Sequence, residues 1–248
     1  MKEFGIIGYP LSHSASPEYF TKKFEELSLA HHYYYAFPLE NIFNIHHLLK
    51  QHPFLYGLNV TSPYKQEVIS HLHRLDETAE IAQAVNVIKI KHEGDTTELM
   101  GYNTDIEAFS LSLTEEWSNS FNRALIFGFG GAAAAAAFAL KQLDIPYSIV
   151  SRNKNINCLT YEELTPELLA SHSLLINATP VGMHPNQHEK LPIPYEAIQP
   201  YHYLYDMIYN PQETFFLNEG LKRGAKVKNG ERMFILQAEK SWEIWNVK

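Results

Sequence analysis

Cysteine is almost missing from this chain: Cys158 is the only one among 248 residues. No intramolecular disulfide can form and no thiolate metal site can be assembled, so a reducing compartment is the default. A basic cluster is lacking too. Lys and Arg number 20 against 28 acids, a formal net charge of −8. A nucleic-acid partner needs a basic face to displace counterions and is not expected. Long apolar runs are absent: Ala132 to Leu140 is far too short to span a bilayer. Met1 to Pro10 has neither the basic region nor the apolar core of a secretory signal. A cytoplasmic location without a membrane partner is therefore expected. The 13 histidines fall in pairs such as His31-His32, His46-His47 and His71-Leu72-His73, with no metal-ligand spacing, and no metal is expected.

What is there is a globular composition, 45% hydrophobic and 19% charged, with length for one large domain or two small ones. Lys2 to Gly8 reads as a short buried strand. Ser16-Pro17-Glu18 reads as a helix start, with Ser16 as N-cap and the helix running towards Ala30. Tyr33 to Phe37 and Tyr56 to Thr61 read as strands, Asn41 to Lys50 has helical spacing, and Pro63 sits where a further helix would begin. Val85 to Lys91 and Thr96 to Met100, around His92-Glu93-Gly94-Asp95, predict a β-hairpin. Asn103-Thr104-Asp105 opens a helix to about Trp117, followed by a polar break over Ser118 to Asn122.

Beyond the break the texture changes. Arg123 to Phe127, Tyr147 to Ser151, Leu174 to Ala178 and Tyr203 to Met207 read as strands of a parallel sheet, with an alanine-rich helix over Ala132 to Leu143. Glu231 to Trp245 has helical spacing and is expected to pack back on the first domain. The expectation is an α/β protein of two domains: residues 1–105 completed by 231–248, and a Rossmann-like domain over 106–230.

Gly128-Phe129-Gly130-Gly131-Ala132-Ala133 fits G-x-G-x-x-A directly after a strand and at a helix start. The first glycine permits the turn, the second lets a pyrophosphate approach the backbone, and the small Ala133 lets the helix pack closely on its strand. The phosphates would sit at the positive end of the helix. At the end of the next strand, NAD-binding domains usually place an acid against the ribose hydroxyls. This chain has Ser151-Arg152-Asn153-Lys154 instead, a hydroxyl and two cations suited to a 2′-phosphate. NADP is the expected cofactor. Ser12, Ser14 and Ser16 flank a helix N-terminus where a carboxylate could bind, although read alone Ser16 is an N-cap and the other two are turn formers. Taken singly, Lys65, Asn86, Asp105 and Gln237 read as surface, cap or turn residues. The residues alone therefore reach an NADP-binding, two-domain α/β oxidoreductase and stop there.

Taken together and in order, the turns resemble the shikimate dehydrogenase family. Gly8-Tyr9-Pro10-Leu11-Ser12-His13-Ser14-Ala15-Ser16-Pro17 is similar to its substrate loop, and Asn59-Val60-Thr61-Ser62-Pro63-Tyr64-Lys65 to the motif that carries its catalytic lysine. Ala84-Val85-Asn86, Gly101-Tyr102-Asn103-Thr104-Asp105, Asn177-Ala178-Thr179-Pro180-Val181-Gly182-Met183, Asn229-Gly230 and Met233 to Ala238 follow in register. The resemblance implies reversible reduction of 3-dehydroshikimate to shikimate, with an N-terminal substrate domain and an NADP domain. It implies Ser14, Ser16 and Tyr209 at the substrate carboxylate, and Thr61, Asn86, Asp105 and Gln237 at the ring hydroxyls. Lys65 beside Asp105 would be the general acid/base. Gly128, Phe129, Gly130, Gly131 and Ala132 would hold the pyrophosphate, Ser151, Arg152 and Lys154 the adenosine phosphate, and Met207 and Gly230 the nicotinamide. Departures are Phe129 for the common alanine, Ser151 for asparagine and Asn153 for threonine. A quinate/shikimate dehydrogenase of relaxed choice and a non-catalytic ligand-sensing homologue stay open beside this reading, as do a monomer and a homodimer.

Overall fold

In the computed structural model, residues are described throughout except 12, 13, 95, 116–120, 155, 156 and 248. The expectations for Ser12, for Asp95 in the hairpin turn and for the stretch through Trp117 lie outside the described residues. The chain divides into two compact units, one of Met1–Thr104 with Ala238–Lys248, the other of Asp105–Gln237.

The first unit holds strands β1 (Lys2–Gly8), β2 (His32–Pro38), β3 (Leu55–Val60), β4 (Arg74–Leu75), β5 (Val87–Glu93) and β6 (Thr96–Tyr102), with helices α1 (Ser16–Glu26), α2 (Ile45–Gln51) and α3 (Glu77–Ala82). They form one sheet in the order β2-β1-β3-β5-β6-β4. Strands β1, β2 and β3 run parallel, while β5 and β6 are the expected antiparallel hairpin. Alternation along β1 sends its side chains to both faces. Ile7 joins Leu58, Ile88 and Leu99 in one core, and Phe4 and Ile6 join Phe20, Phe24, Tyr34, Ala238 and Trp245 in the other. A concavity of about 520 Å³ lined by Phe24, Tyr33 and Tyr35 lies near the N-terminal end of β2, away from the strand ends that carry the candidate site.

The second unit holds α4 (Asp105–Thr114), β7 (Ala124–Phe127), α5 (Gly131–Gln142), β8 (Tyr147–Ser151), β9 (Cys158–Thr160), α6 (Pro166–Ala170), β10 (Leu174–Asn177), β11 (Tyr203–Asp206), α7 (Phe215–Lys222) and β12 (Lys226–Lys228). Its sheet is wholly parallel in the order β9-β8-β7-β10-β11-β12. That is the doubly wound dinucleotide-binding order, which reverses between the first and fourth strands, here β7 and β10. Buried on both faces, β7 reads as an unbroken apolar run in the sequence, and β10 does so up to the buried Asn177 that ends it. Ala133, Ala135, Ala136 and Ala139 of α5 are fully buried, so the alanines are there for close packing.

Helix α8 (Glu231–Asn246) begins in the second unit, and its last turns belong to the first. Trp245 is 5% exposed; its indole N–H donates to the Ile88 carbonyl at 3.1 Å and its ring lies against Phe4 and Phe20. Trp245→Ala is expected to cost about 3–5 kcal/mol by leaving a cavity and an unpaired carbonyl. Urea unfolding of the variant measures this, and a loss below about 1 kcal/mol would show the tail to be dispensable.

Three local expectations are corrected. The N-cap of α1 is Ala15, whose carbonyl accepts the Tyr19 N–H, and Ser16 lies inside the first turn. The same helix stops at Glu26 instead of running to Ala30. Ser28 takes a left-handed φ of 53°, and the Ser28 and Leu29 N–H groups fold back onto Glu25 and Phe24 carbonyls, a Schellman ending. No helix starts at Pro63: the chain turns through Lys65 and forms only a short 3₁₀ segment at Glu67–His71. The Lys65 carbonyl accepts the Val85 N–H at 2.7 Å, which removes it from any helical ladder.

Candidate functional site

In the first unit, the candidate residues collect at the C-terminal ends of β1 and β3. These are neighbouring parallel strands, so the loops leaving them lie side by side. The Thr61 N–H donates to the Ile7 carbonyl at 2.9 Å and the Tyr9 N–H to the Ser62 carbonyl at 3.1 Å. The loop leaving β1 enters α1, where Ser16 is buried and its N–H donates to Ser14 Oγ at 3.4 Å. Asn86 is 3% exposed just before β5. Its amide nitrogen donates to Thr104 Oγ1 at 2.9 Å and its amide oxygen accepts the Thr104 N–H at 2.8 Å. Its carbonyl accepts the Val60 N–H at 2.8 Å, while the Lys65 carbonyl takes the neighbouring Val85 N–H. Thr61, Lys65 and Asn86 are thus tied to one end of one sheet through backbone bonds, and the loop that leaves β1 at the same end carries Ser14 and Ser16. Hydroxyls, an amide and a half-buried lysine on adjoining loops suit a small polyhydroxylated acid.

In the second unit, the glycine turn stands where the strand order reverses. Gly128 has φ +121°, and a Cβ there would come 2.9 Å from the Ala178 carbonyl oxygen after β10. Glycine is required by the fold itself. Gly130 differs: a Cβ there would meet nothing within 4 Å. The protein gives no reason for glycine at that position, whereas a pyrophosphate lying on the backbone does. Gly131 opens α5, Ala132 sits in its first turn, and Phe129 is 56% exposed at the tip. These residues fit a dinucleotide. Ser151 is buried and its hydroxyl donates to the Asn153 carbonyl, so it shapes the basic loop; Arg152 and Lys154 are exposed.

The expected nicotinamide residues meet each other. The Met207 N–H donates to the Asn177 carbonyl at 3.0 Å, the Gly230 N–H donates to the Ile208 carbonyl at 3.0 Å, and a Cβ on Gly230 would overlap the Met207 carbonyl. Tyr209 packs on Phe234, with ring centroids 4.8 Å apart. Asp105, 5% exposed, is the first residue of α4, and Gln237 is half-buried on α8.

One residue of this region escaped the sequence reading. Asp206 ends β11 fully buried, accepting from Thr214 Oγ1 at 2.6 Å, the Ile208 N–H at 3.0 Å and Asn177 Nδ2 at 3.1 Å. It holds together the segments that carry Met207 and Asn177. Burial pushes its carboxyl up from 3.8 to about 7, against the three donors. A folded value above the unfolded one means that this group's contribution to stability is complete below about pH 4 and is lost as pH rises through about 7. Urea unfolding should therefore show wild type losing about 2 kcal/mol relative to Asp206→Asn between about pH 5 and about pH 7. A difference independent of pH would show that Asp206 stays ionised throughout.

Comparison with known proteins gives a consistent picture. The family profile described as "Shikimate dehydrogenase substrate binding domain" matches residues 6–88. The NADP(+) shikimate dehydrogenase of Pelagibacter ubique is 36% identical, over 99% of this chain and 93% of its own. The solved shikimate 5-dehydrogenase of Thermus thermophilus, in complex with NADP(H) and shikimate, superposes with a TM-score of 0.84 at 28% identity, covering 99% of this chain and 94% of that one. The Listeria monocytogenes enzyme, solved with shikimate and NAD, gives a TM-score of 0.80 at 27% identity, covering 100% and 92%.

Proposed function

The chain belongs to the shikimate dehydrogenase family, and on that premise we propose how its two units divide the reaction. It is an NADP-dependent oxidoreductase that interconverts 3-dehydroshikimate and shikimate. The first unit binds the substrate and the second binds the cofactor. Ser14 and Ser16 hold the substrate carboxylate with Tyr209, and Thr61, Asn86 and Gln237 read the ring hydroxyls. The bound cofactor supplies or accepts the hydride, so the protein's own task is to orient the ring and manage one proton. Lys65 Nζ gives that proton to the oxygen as the ketone is reduced and takes it back in the reverse direction. Asp105 serves as the second member of this acid/base pair. Gly128 to Ala132 hold the pyrophosphate, Ser151, Arg152 and Lys154 the adenosine phosphate, and Met207 with Gly230 the nicotinamide.

The observation that carries the reading is the gathering of Ser16, Thr61, Lys65 and Asn86 at one sheet end, inside the segment matched by the substrate-domain profile. NADPH absorbance measured with shikimate and NADP+, against quinate and NAD+ controls, tests it. Turnover on shikimate well above quinate is expected. Equal rates on both rings would reassign the chain to a quinate/shikimate enzyme, and no turnover on either would leave a ligand-binding homologue.

A further inference from the structure

The loop after β8 was expected to offer cations without an acid, and the fold brings an acid to it. Strand β9 lies parallel beside β8 with Ser151 opposite Thr160. Thr160 opens a 3₁₀ turn over Tyr161–Glu163, in which the Thr160 side chain and the Glu163 carboxylate cap each other's backbone N–H groups. The Thr160 N–H donates to Glu163 Oε2 at 2.7 Å. The Tyr161 ring stacks on Phe127, the residue before Gly128, at 6.4 Å between centroids, which fixes the turn at the root of the glycine loop. Held this way, both oxygens of Glu163 accept from Lys154 Nζ, at 2.5 and 2.7 Å. That bond, and then the Thr160 N–H, keep the Glu163 carboxyl below the usual range, so it is charged near neutrality. Arg152 makes no ion pair among the described residues.

We propose that Glu163 is a specificity-determining residue, whose carboxylate competes for Lys154 and weakens the preference of this site for NADP over NAD. The inference rests on the reading of this loop as the adenosine-phosphate site. A 2′-phosphate that reaches the Lys154 ammonium also comes close to the carboxylate already holding it. Either the lysine divides its donors between two anions or Glu163 is displaced, and both lower the affinity for the phosphate. The 2′-hydroxyl of NAD meets no such opposition, and a carboxylate here can accept its hydrogen bond. Arg152 is left as the main attraction for the phosphate.

The test is calorimetric binding of 2′,5′-ADP, ADP, NADP+ and NAD+ to the full chain, for wild type, Glu163→Gln, Lys154→Ala and the double variant. Glutamine can still accept the Thr160 N–H, which preserves the turn. Glu163→Gln is expected to tighten 2′,5′-ADP and NADP+ about five- to tenfold, as for one screened charge beside another in water, without tightening ADP or NAD+. The gain should shrink as salt is raised. The double variant should bind 2′,5′-ADP more tightly than Lys154→Ala does, because the single variant leaves a bare carboxylate facing the phosphate. A wild type that prefers 2′,5′-ADP, with Glu163→Gln equal to it or weaker, overturns the role of Glu163 alone. Indifference to the 2′-phosphate in both proteins overturns the phosphate site and the proposal together.

Discussion

Lys65→Ala is expected to lose about 10³-fold or more in kcat with shikimate while its NADP+ affinity stays within about twofold, the separation expected when a proton donor is removed from an otherwise intact site. The reasoning starts from the charge that the carbonyl oxygen gains when hydride arrives. Without a nearby ammonium that charge must be met by water, and general acid catalysis together with the field of the cation is forfeited. Lys65 also contributes a backbone carbonyl to the Val85 N–H, and alanine keeps it, so folding should survive. Steady-state rates and an NADP+ titration of the same preparation decide the point. A rate within tenfold of wild type would remove Lys65 from the chemistry.

The second large effect is expected at Gly130. Gly130→Val should leave the urea midpoint almost unchanged, because the backbone there is extended, φ −89° and ψ −171°, and a Cβ meets nothing within 4 Å. Binding of NADP+ should nonetheless fall by about 100-fold, since the valine methyls would occupy the place of the pyrophosphate. Gly128→Ala is the control with the opposite signature. Its φ of +121° and its 2.9 Å approach to the Ala178 carbonyl make it costly to the fold before any ligand is added. Equal NADP+ affinity in Gly130→Val and wild type would place the cofactor elsewhere.

How far the sequence could be read depends on whether the information was local. The strands β7 and β10 were visible because full burial in a parallel sheet writes an apolar run, continuous in β7 and broken in β10 only by its last residue, Asn177. The glycine turn was visible because its spacing answers to backbone geometry rather than to partners. The helix expected at Pro63 was wrong for a reason that no local pattern carries: the Lys65 carbonyl is claimed by Val85, twenty residues on. Asp206 is a single acid at the end of an apolar strand, and only the fold reveals that Thr214, Ile208 and Asn177 converge on it. Glu163 was missed because its nearness to Lys154 is a matter of register between β8 and β9. The clustering of Ser16, Thr61, Lys65 and Asn86 likewise needs the adjacency of β1 and β3. The roles proposed for these residues come from resemblance to a family.

The split composition of the first unit bears on the order in which the protein can be made. Its core needs Ala238 and Trp245, which the ribosome delivers more than a hundred residues after Thr104, whereas the parallel-sheet unit is continuous in the chain. Vectorial synthesis therefore favours early completion of the cofactor-type unit while the aromatic face that the N-terminal sheet shares with α1 waits for Ala238 and Trp245. A nascent chain stalled before residue 238 would expose Phe4, Phe20 and Phe24 to chaperones, which the finished protein does not.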